Sequence, residues 1–299
     1  MHVSGFISII GKPNVGKSTF LNHVLNQKIA ITSSKPQTTR NTIRGIYNDQ
    51  DSQIIFIDTP GIHEPKHTLG KYMTETALRT LNAVDIVLFM ISGTEKMSSV
   101  DEMIIEQLTH VKTPVILLVN KIDLIKDIER LNELIELYKA KYAFKEVLAI
   151  SALEGIYTKP LLKDLKSYLP EGPKYYPEDQ VTDHPEKFLI SELIREKVLH
   201  HTHEEVPHSV MVLIDNMEHD ASQKDLMTIH ATIVVERDSQ KGIIIGKGGK
   251  MIKKIGTDAR GDILNLLGEK IFLDLHCKVV KNWRNKELYL KNYGYKETL

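Results

Sequence analysis

At 299 residues, with 41% hydrophobic and 26% charged side chains, the chain has an ordinary globular composition and is too long for one small core, so two domains are expected. Its formal charges cancel and its one cysteine, Cys277, excludes an intrachain disulfide framework and suits a reducing compartment. No apolar run is long enough to span a bilayer, and no basic region precedes an extended apolar stretch near Met1, so neither a secretory leader nor a membrane span is expected.

The apolar run Phe6 to Ile10 predicts a buried strand, and Thr19 to Leu25 reads as a helix. Between them stands Gly11-Lys12-Pro13-Asn14-Val15-Gly16-Lys17-Ser18, a phosphate-cradling loop with the full GxxxxGKS spacing. Its glycines let the backbone wrap an anion, and the amides at the start of the helix, Thr19 included, face a triphosphate. Lys17 is expected at the terminal phosphates and Ser18 on magnesium. The polar segment Lys35-Pro36-Gln37-Thr38-Thr39-Arg40 has no apolar period and reads as a mobile switch, with Thr39 offering its hydroxyl and carbonyl to the metal and Thr38 the competing choice.

A second strand, Gln53 to Ile57, ends in Asp58-Thr59-Pro60-Gly61, which puts a carboxylate at the strand end where open α/β sheets bind ligands. Asp58 is expected to hold magnesium through water, and the Gly61 amide to sense the terminal phosphate. Ile86 to Ile91 and Pro114 to Val119 read as further buried strands, and the latter runs into Asn120-Lys121-Ile122-Asp123. A carboxylate at Asp123 accepts two hydrogen bonds from guanine N1–H and its amine, a donor pair that adenine lacks. Lys121 is expected to cover the base, and Asn120 either to hold N7 or to brace the phosphate loop. After the short strand Val147 to Ile150, Ser151-Ala152-Leu153 offers a backbone amide to the guanine carbonyl.

These strands alternate with helical stretches such as Leu131 to Tyr138 and Leu161 to Leu169, which predicts a doubly wound parallel sheet over residues 1–170. Pro170, Pro173, Pro177 and Pro185 then place a linker over 171–186, with a second domain over 187–299. Its order is helix (Phe188 to Leu199), strands (Val210 to Ile214, Ile229 to Val235), short helix, glycine loop, helix (Met251 to Leu267) and strand (Ile271 to Val280). That order resembles an α+β type II KH domain, with Gly246-Lys247-Gly248-Gly249 as its GXXG loop. Such a loop lets an RNA backbone approach, with Lys247 as countercharge, while apolar surface beside it takes unstacked bases.

Lys241 to Lys296 carries thirteen Lys or Arg against five Asp or Glu, an excess that the rest of the chain balances. Lys250, Lys253, Lys254 and Arg260 extend this basic surface along the helix, and Lys281, Arg284, Lys286 and Lys291 form a second stretch near Trp283, in a basic terminal helix. Arg284 is counted among the expected RNA contacts. His200, His201, His203 and His208 invite a metal reading, but no matching ligand set stands elsewhere and they are expected to be solvated.

Taken together, Gly11 to Ser18, Pro36 to Arg40, Asp58 to Gly61, Asn120 to Asp123 and Ser151 to Leu153, followed by the KH pattern, resemble the bacterial Era family of P-loop GTPases along nearly the whole chain. The stretches Ile57-Asp58-Thr59-Pro60-Gly61-Ile62-His63 and Val235-Glu236-Arg237-Asp238-Ser239-Gln240-Lys241-Gly242 carry the resemblance to Era rather than to its relatives. It implies a P-loop GTPase fold with a type II KH domain, GTP and GDP with magnesium at the site, and a cytoplasmic 30S assembly factor that binds the 3′ end of 16S rRNA and associates peripherally with the membrane. Related enzymes place a potassium ion beside a loop asparagine, and Asn14 stands at the matching position, which with Lys17 and Thr39 makes up the expected catalytic set. Ile62 follows Gly61 where Ras-type enzymes carry a water-orienting glutamine, so slow intrinsic hydrolysis is expected. An RNA-binding module with a merely structural nucleotide, or a metabolic P-loop kinase, are the rivals; the guanine motif argues against the kinase.

Overall fold

The computed structural model describes residues 2–35, 37–65, 67–204, 206–219 and 226–295. Pro36 of the expected switch, Glu205 beside the histidines, and Lys296, the last of the basic residues counted above, lie outside the described residues. The chain divides into two compact units: Met1–Ala30, Thr39–Lys66 and Gly70–Asp183 in the first, and Ile31–Thr38, His67–Leu69 and His184–Leu299 in the second.

The first unit holds β1 (Val3–Ile10), α1 (Lys17–Leu25), β2 (Ile43–Asn48), β3 (Ser52–Asp58), most of α2 (Thr68–Arg79), β4 (Ile86–Ser92), α3 (Ser99–Leu108), β5 (Val115–Asn120), α4 (Ile128–Lys141), β6 (Glu146–Ala149) and α5 (Thr158–Ser167). The six strands form one sheet in the order β2-β3-β1-β4-β5-β6. Every side chain of β3, β4 and β5 is buried, which explains their unbroken apolar reading: both faces of a parallel sheet are covered by helices. After β3 the chain crosses to the other side of β1, a topology that opens a crevice at the carboxyl ends of the strands.

An edge strand departs from the sequence reading. The edge strand β2 runs antiparallel to β3, and its polar Arg44 and small Gly45 hide a strand signal that Ile43 and Ile46 alone do not carry. Gly45 is needed because a Cβ there would come within 2.6 Å of Leu21 and Leu25 of α1. The proline-rich stretch read as a linker is hydrogen-bonded to the first unit's strands: Ser4 N donates to Pro170 O at 3.1 Å, Ile46 N donates to Val181 O at 2.8 Å, and Gln53 Oε1 accepts from Tyr175 N and Tyr176 N at 2.6 and 3.0 Å.

The second unit contains α6 (Glu186–His201), α7 (Val206–Ser209), β7 (Met211–His219), β8 (Leu226–Val235), α8 (Asp238–Ile245), α9 (Lys250–Leu267), β9 (Lys270–Val279) and α10 (Glu287–Asn292). Its sheet has the order β7-β8-β9, with β7 antiparallel and β9 parallel to β8. Alternate residues of β8 (Met227, Ile229, Ala231, Ile233) are buried against α6, α8 and α9, so one face of the sheet carries the core. β7 extends past the expected Ile214 because a bulge between Ile214 and Asn216 resets the register of its polar end.

Segment Ile31–Thr38 is built into this second unit. Ile31 joins its core, Glu196 Oε1 accepts Thr32 N–H at 2.9 Å, and Arg195, only 1% exposed, donates to Thr38 O while Glu192 holds its Nε at 2.7 Å. The buried guanidinium is thereby paired through its Nε and Nη2, while its Nη1 is buried without a hydrogen-bond partner.

Candidate nucleotide site and nucleic-acid surface

The loop between β1 and α1 sits at the crevice of the first unit. Gly16 has φ 106°, and a Cβ there would fall 2.1 Å from Asn120 Nδ2, so a glycine is required by both conformation and space. Lys17 is 6% exposed, and its ammonium rests on the loop's own carbonyls, Lys12 O at 2.9 Å and Gly11 O at 3.2 Å. Burial pulls its pKa down to about 8, against the opposing charge of Asp58.

Ser18 Oγ lies 2.6 Å from Asp58 Oδ2 and 2.9 Å from Thr39 Oγ1, so all three residues expected around magnesium converge. Burial pushes the Asp58 carboxyl up to about 6, opposed by Lys17 and by hydrogen bonds from Ser18 and Thr39, and its Oδ1 is buried without a hydrogen-bond partner. Two hydroxyls and a carboxylate with a spare lone-pair oxygen are the hard oxygen donors that magnesium takes. The two candidate threonines differ: Thr38 Oγ1 donates to Lys35 O at 2.7 Å within its own loop, whereas Thr39 faces Ser18.

Asn120 is 2% exposed and braces two loops at once: Nδ2 donates to Val15 O at 2.7 Å and Oδ1 accepts Ala152 N–H at 2.9 Å. The bracing option considered from sequence is the one its side chain takes here. Lys121 adopts a left-handed conformation with φ 69°, which turns the chain so that Asp123 stands exposed in the turn Ile122–Leu124. Ser151 Oγ accepts Glu154 N–H at 3.1 Å, and Leu153 is 71% exposed. The Ala152 amide is already engaged by Asn120. In the phosphate loop, Val15 is fully buried, Asn14 is exposed with φ 63°, and Gly61 and Ile62 are buried, with Ile62 N donating to Gly11 O at 3.1 Å. Pro13 is half-buried, as is Thr19 in the first turn of α1. The Lys12 ammonium pairs with Asp101 at 2.8 Å and Glu95 at 3.3 Å. Sequence reading missed Asp101 because nothing local marks a helical aspartate as buried.

In the second unit Gly246, Gly248 and Gly249 all have positive φ (70°, 60° and 75°), and space is open around the last two, so the turn presents bare backbone to an approaching strand. Lys247, Lys250, Lys253, Lys254 and Arg260 are exposed along this turn and α9. Beside them an open groove of about 240 Å³ runs between α9 and β9, lined by Ile252, Lys253, Gly256, Arg260, Phe272 and Leu275, with Phe272 54% exposed. A Cβ on Gly256 would come within 3.3 Å of Leu275, narrowing the groove floor. Phe272 was not singled out from sequence, where it is one apolar residue of a strand. Arg284 is held elsewhere: its guanidinium pairs with Glu236 at 2.6 Å and donates to His208 O at 3.3 Å, with only 14% of the side chain exposed. This pairing sets Arg284 apart from the exposed lysines of the turn and α9.

Among the described residues no cluster of histidine, cysteine or carboxylate groups could hold a metal by itself. His201 pairs with Asp258 at 2.5 Å, His200 bonds Thr32 O at 3.1 Å and His203 bonds Lys35 at 3.2 Å. No described helix is long and apolar enough to cross a membrane.

The family described as 50S ribosome-binding GTPase matches residues 6–121, and the KH domain family matches residues 205–284. A crystal structure of an Aquifex aeolicus Era variant bound to GDP.AlF4− is 41% identical, with TM-score 0.95, over 99% of this chain and 100% of that one. A crystal structure of Era in complex with MgGDPNP and nucleotides 1506–1542 of 16S ribosomal RNA is 40% identical, with TM-score 0.96 and the same coverage. With a nucleotide loop, a guanine-reading motif and a KH unit in one chain, and a relative this similar over its full length, the protein belongs to the Era family of P-loop GTPases.

Proposed function

We propose that this GTPase is a switch whose second unit grips the 3′ region of 16S rRNA during assembly of the 30S subunit. The observation that carries the reading is the convergence of Ser18, Thr39 and Asp58 beside the Lys17 loop, in a chain whose other unit sets a bare glycine turn against an apolar groove. The relative solved with MgGDPNP and that rRNA segment supports nucleotide, metal and RNA together.

Each residue has a definable task. Lys17 exchanges its loop carbonyls for the terminal phosphates, which restores its full positive charge. Asp123 takes the two donors of guanine, while Asn120 keeps the phosphate loop and the Ser151–Leu153 turn in register. Ser18, Thr39 and Asp58 hold magnesium, which when bound offsets charge building on the phosphates. Thr39 directly follows a segment that Arg195 and Glu196 of α6 hold, so ordering at Thr39 has a covalent route to the second unit. In the groove, Phe272 supplies a stacking face, and Lys247, Lys250, Lys253 and Lys254 supply countercharge for the phosphodiester backbone.

Ile62 is apolar and buried and orients no water, so turnover needs positive charge from another source. Asn14, exposed in the phosphate loop, suits a potassium ion there, so hydrolysis is expected to be faster in potassium than in sodium salts; equal rates exclude that role. Contact with the 30S subunit in the cytoplasm, and peripheral membrane contact, fall to the same basic surface. The deciding measurement is RNA affinity with a nonhydrolysable GTP analogue and with GDP: a difference beyond error, mirrored by an RNA effect on nucleotide affinity, supports the switch, and identical values refute it.

A further inference from the structure

Lys12 stands inside the phosphate loop, yet its side chain leaves the loop. Its Nζ lies 2.8 Å from Asp101 Oδ2, 3.3 Å from Glu95 Oε2 and 3.3 Å from Ser98 Oγ. Asp101 is fully buried, and the same Oδ2 accepts the Ser98 amide at 2.9 Å and its hydroxyl at 2.8 Å, so it also closes the capping box of α3. The Tyr138 hydroxyl faces the same carboxylate closely enough that burial first, and then the Asp101 charge and a hydrogen bond to it, raise the tyrosine's pKa. A capping box needs no lysine. A fully buried carboxylate is costly, and it is tolerated only while its ionic partner stays in place.

The opposite side of the same loop is equally constrained. A Cβ on Gly61 would lie 2.7 Å from Pro13 Cα and N, so the backbone of Pro13 is packed directly on Gly61. Ile62 N donates to Gly11 O at 3.1 Å. The Lys12–Pro13 backbone is thus fixed on one side by α3 through Asp101 and on the other by the end of β3, at the glycine expected to sense the terminal phosphate.

We propose that Asp101 is a positioning residue for GTP hydrolysis: acting through Lys12, it holds the Lys12–Pro13 backbone against Gly61 and sets how well the site registers a terminal phosphate. The proposal rests on the GTPase activity and deepens it. Grip on GDP comes from Lys17 and the loop amides around Gly16, so losing the tether weakens the response to the third phosphate more than nucleotide binding as such.

The test uses the full chain with Lys12→Met, Asp101→Asn and Lys12→Arg, measuring GDP affinity, affinity for a nonhydrolysable GTP analogue and single-turnover hydrolysis, with melting temperature as a control. Lys12→Met and Asp101→Asn are expected to lower the hydrolysis rate about tenfold or more and to cut the analogue-to-GDP affinity ratio about fivefold, with GDP affinity within about twofold of the parent. Lys12→Arg, which keeps the ion pair, is expected to restore both. If Asp101→Asn fails to fold, Lys12→Met decides. An unchanged rate and ratio in a folded Lys12→Met overturn the proposal. So do losses of GDP and analogue affinity that run in parallel with a fall in melting temperature, because that pattern is purely structural. A parent chain that hydrolyses no GTP defeats the activity itself, a separate failure from that of the tether.

Discussion

The Ser18 hydroxyl meets the Asp58 carboxylate across 2.6 Å although forty residues separate them in the chain. The sheet brings them together: β3 lies parallel to β1 with Asp58 opposite Ile9, so the carboxylate ends beside the loop that Ser18 closes.

Asp58 is buried and pushed up to about 6, so the fold holds a proton that the unfolded chain releases near pH 4. Nucleotide-free protein therefore loses stability as pH rises from about 4 through 6, by up to roughly 3 kcal/mol, and Asp58→Asn does not. Melting curves of both proteins across that range, without magnesium, measure the difference. Lys17 has the opposite sign: pulled down to about 8, it is neutral in the fold while an unfolded lysine is still charged, so stability rises as pH climbs from 8 toward 10. Magnesium needs the ionised carboxylate, so magnesium-dependent nucleotide affinity is expected to fall about tenfold per pH unit below 6, as calorimetric titration can follow.

Asn120→Ala leaves the Val15 carbonyl and the Ala152 amide without their partner. Each lost partner in a buried site costs about 1–3 kcal/mol, so denaturant midpoints fall clearly and nucleotide affinity falls with them.

Asp123→Asn exchanges an acceptor pair for one donor and one acceptor, the complement of xanthine rather than guanine. GTP affinity is expected to drop by about a thousandfold or more while xanthosine triphosphate gains, with little change in melting temperature because Asp123 is exposed. Competition between the two nucleotides reads this directly.

On the second unit, Phe272→Ala removes a stacking face and is expected to cost about 1–3 kcal/mol of RNA affinity with an unchanged salt slope. Lys253→Ala weakens binding and lowers the salt slope by about one. Arg284→Ala is expected to lower the melting temperature first, because it leaves the largely covered Glu236 carboxylate without its partner. Filter binding at several salt concentrations, paired with melts, distinguishes the three.

The parallel strands were legible because burial on both faces demands unbroken apolar runs, and the nucleotide motifs because each lies at the end of such a run. β2 was not, since an edge strand next to one helix needs only Ile43 and Ile46 to be apolar. Arg284 looked like any basic residue until Glu236 was found 2.6 Å away.

The order of residues along the chain determined which local patterns are present, the GxxxxGKS loop, the Asn120 to Asp123 motif and the glycine turn at Gly246 to Gly249, all of them set by backbone freedom and side-chain type. Folding alone decided where the side chains of those patterns point. Lys12 pairs with Asp101, Thr39 rather than Thr38 faces Ser18, and Phe272 opens into the groove. Such directions depend on partners distant in the chain, and burial makes each unpaired charge or polar atom costly enough to fix them.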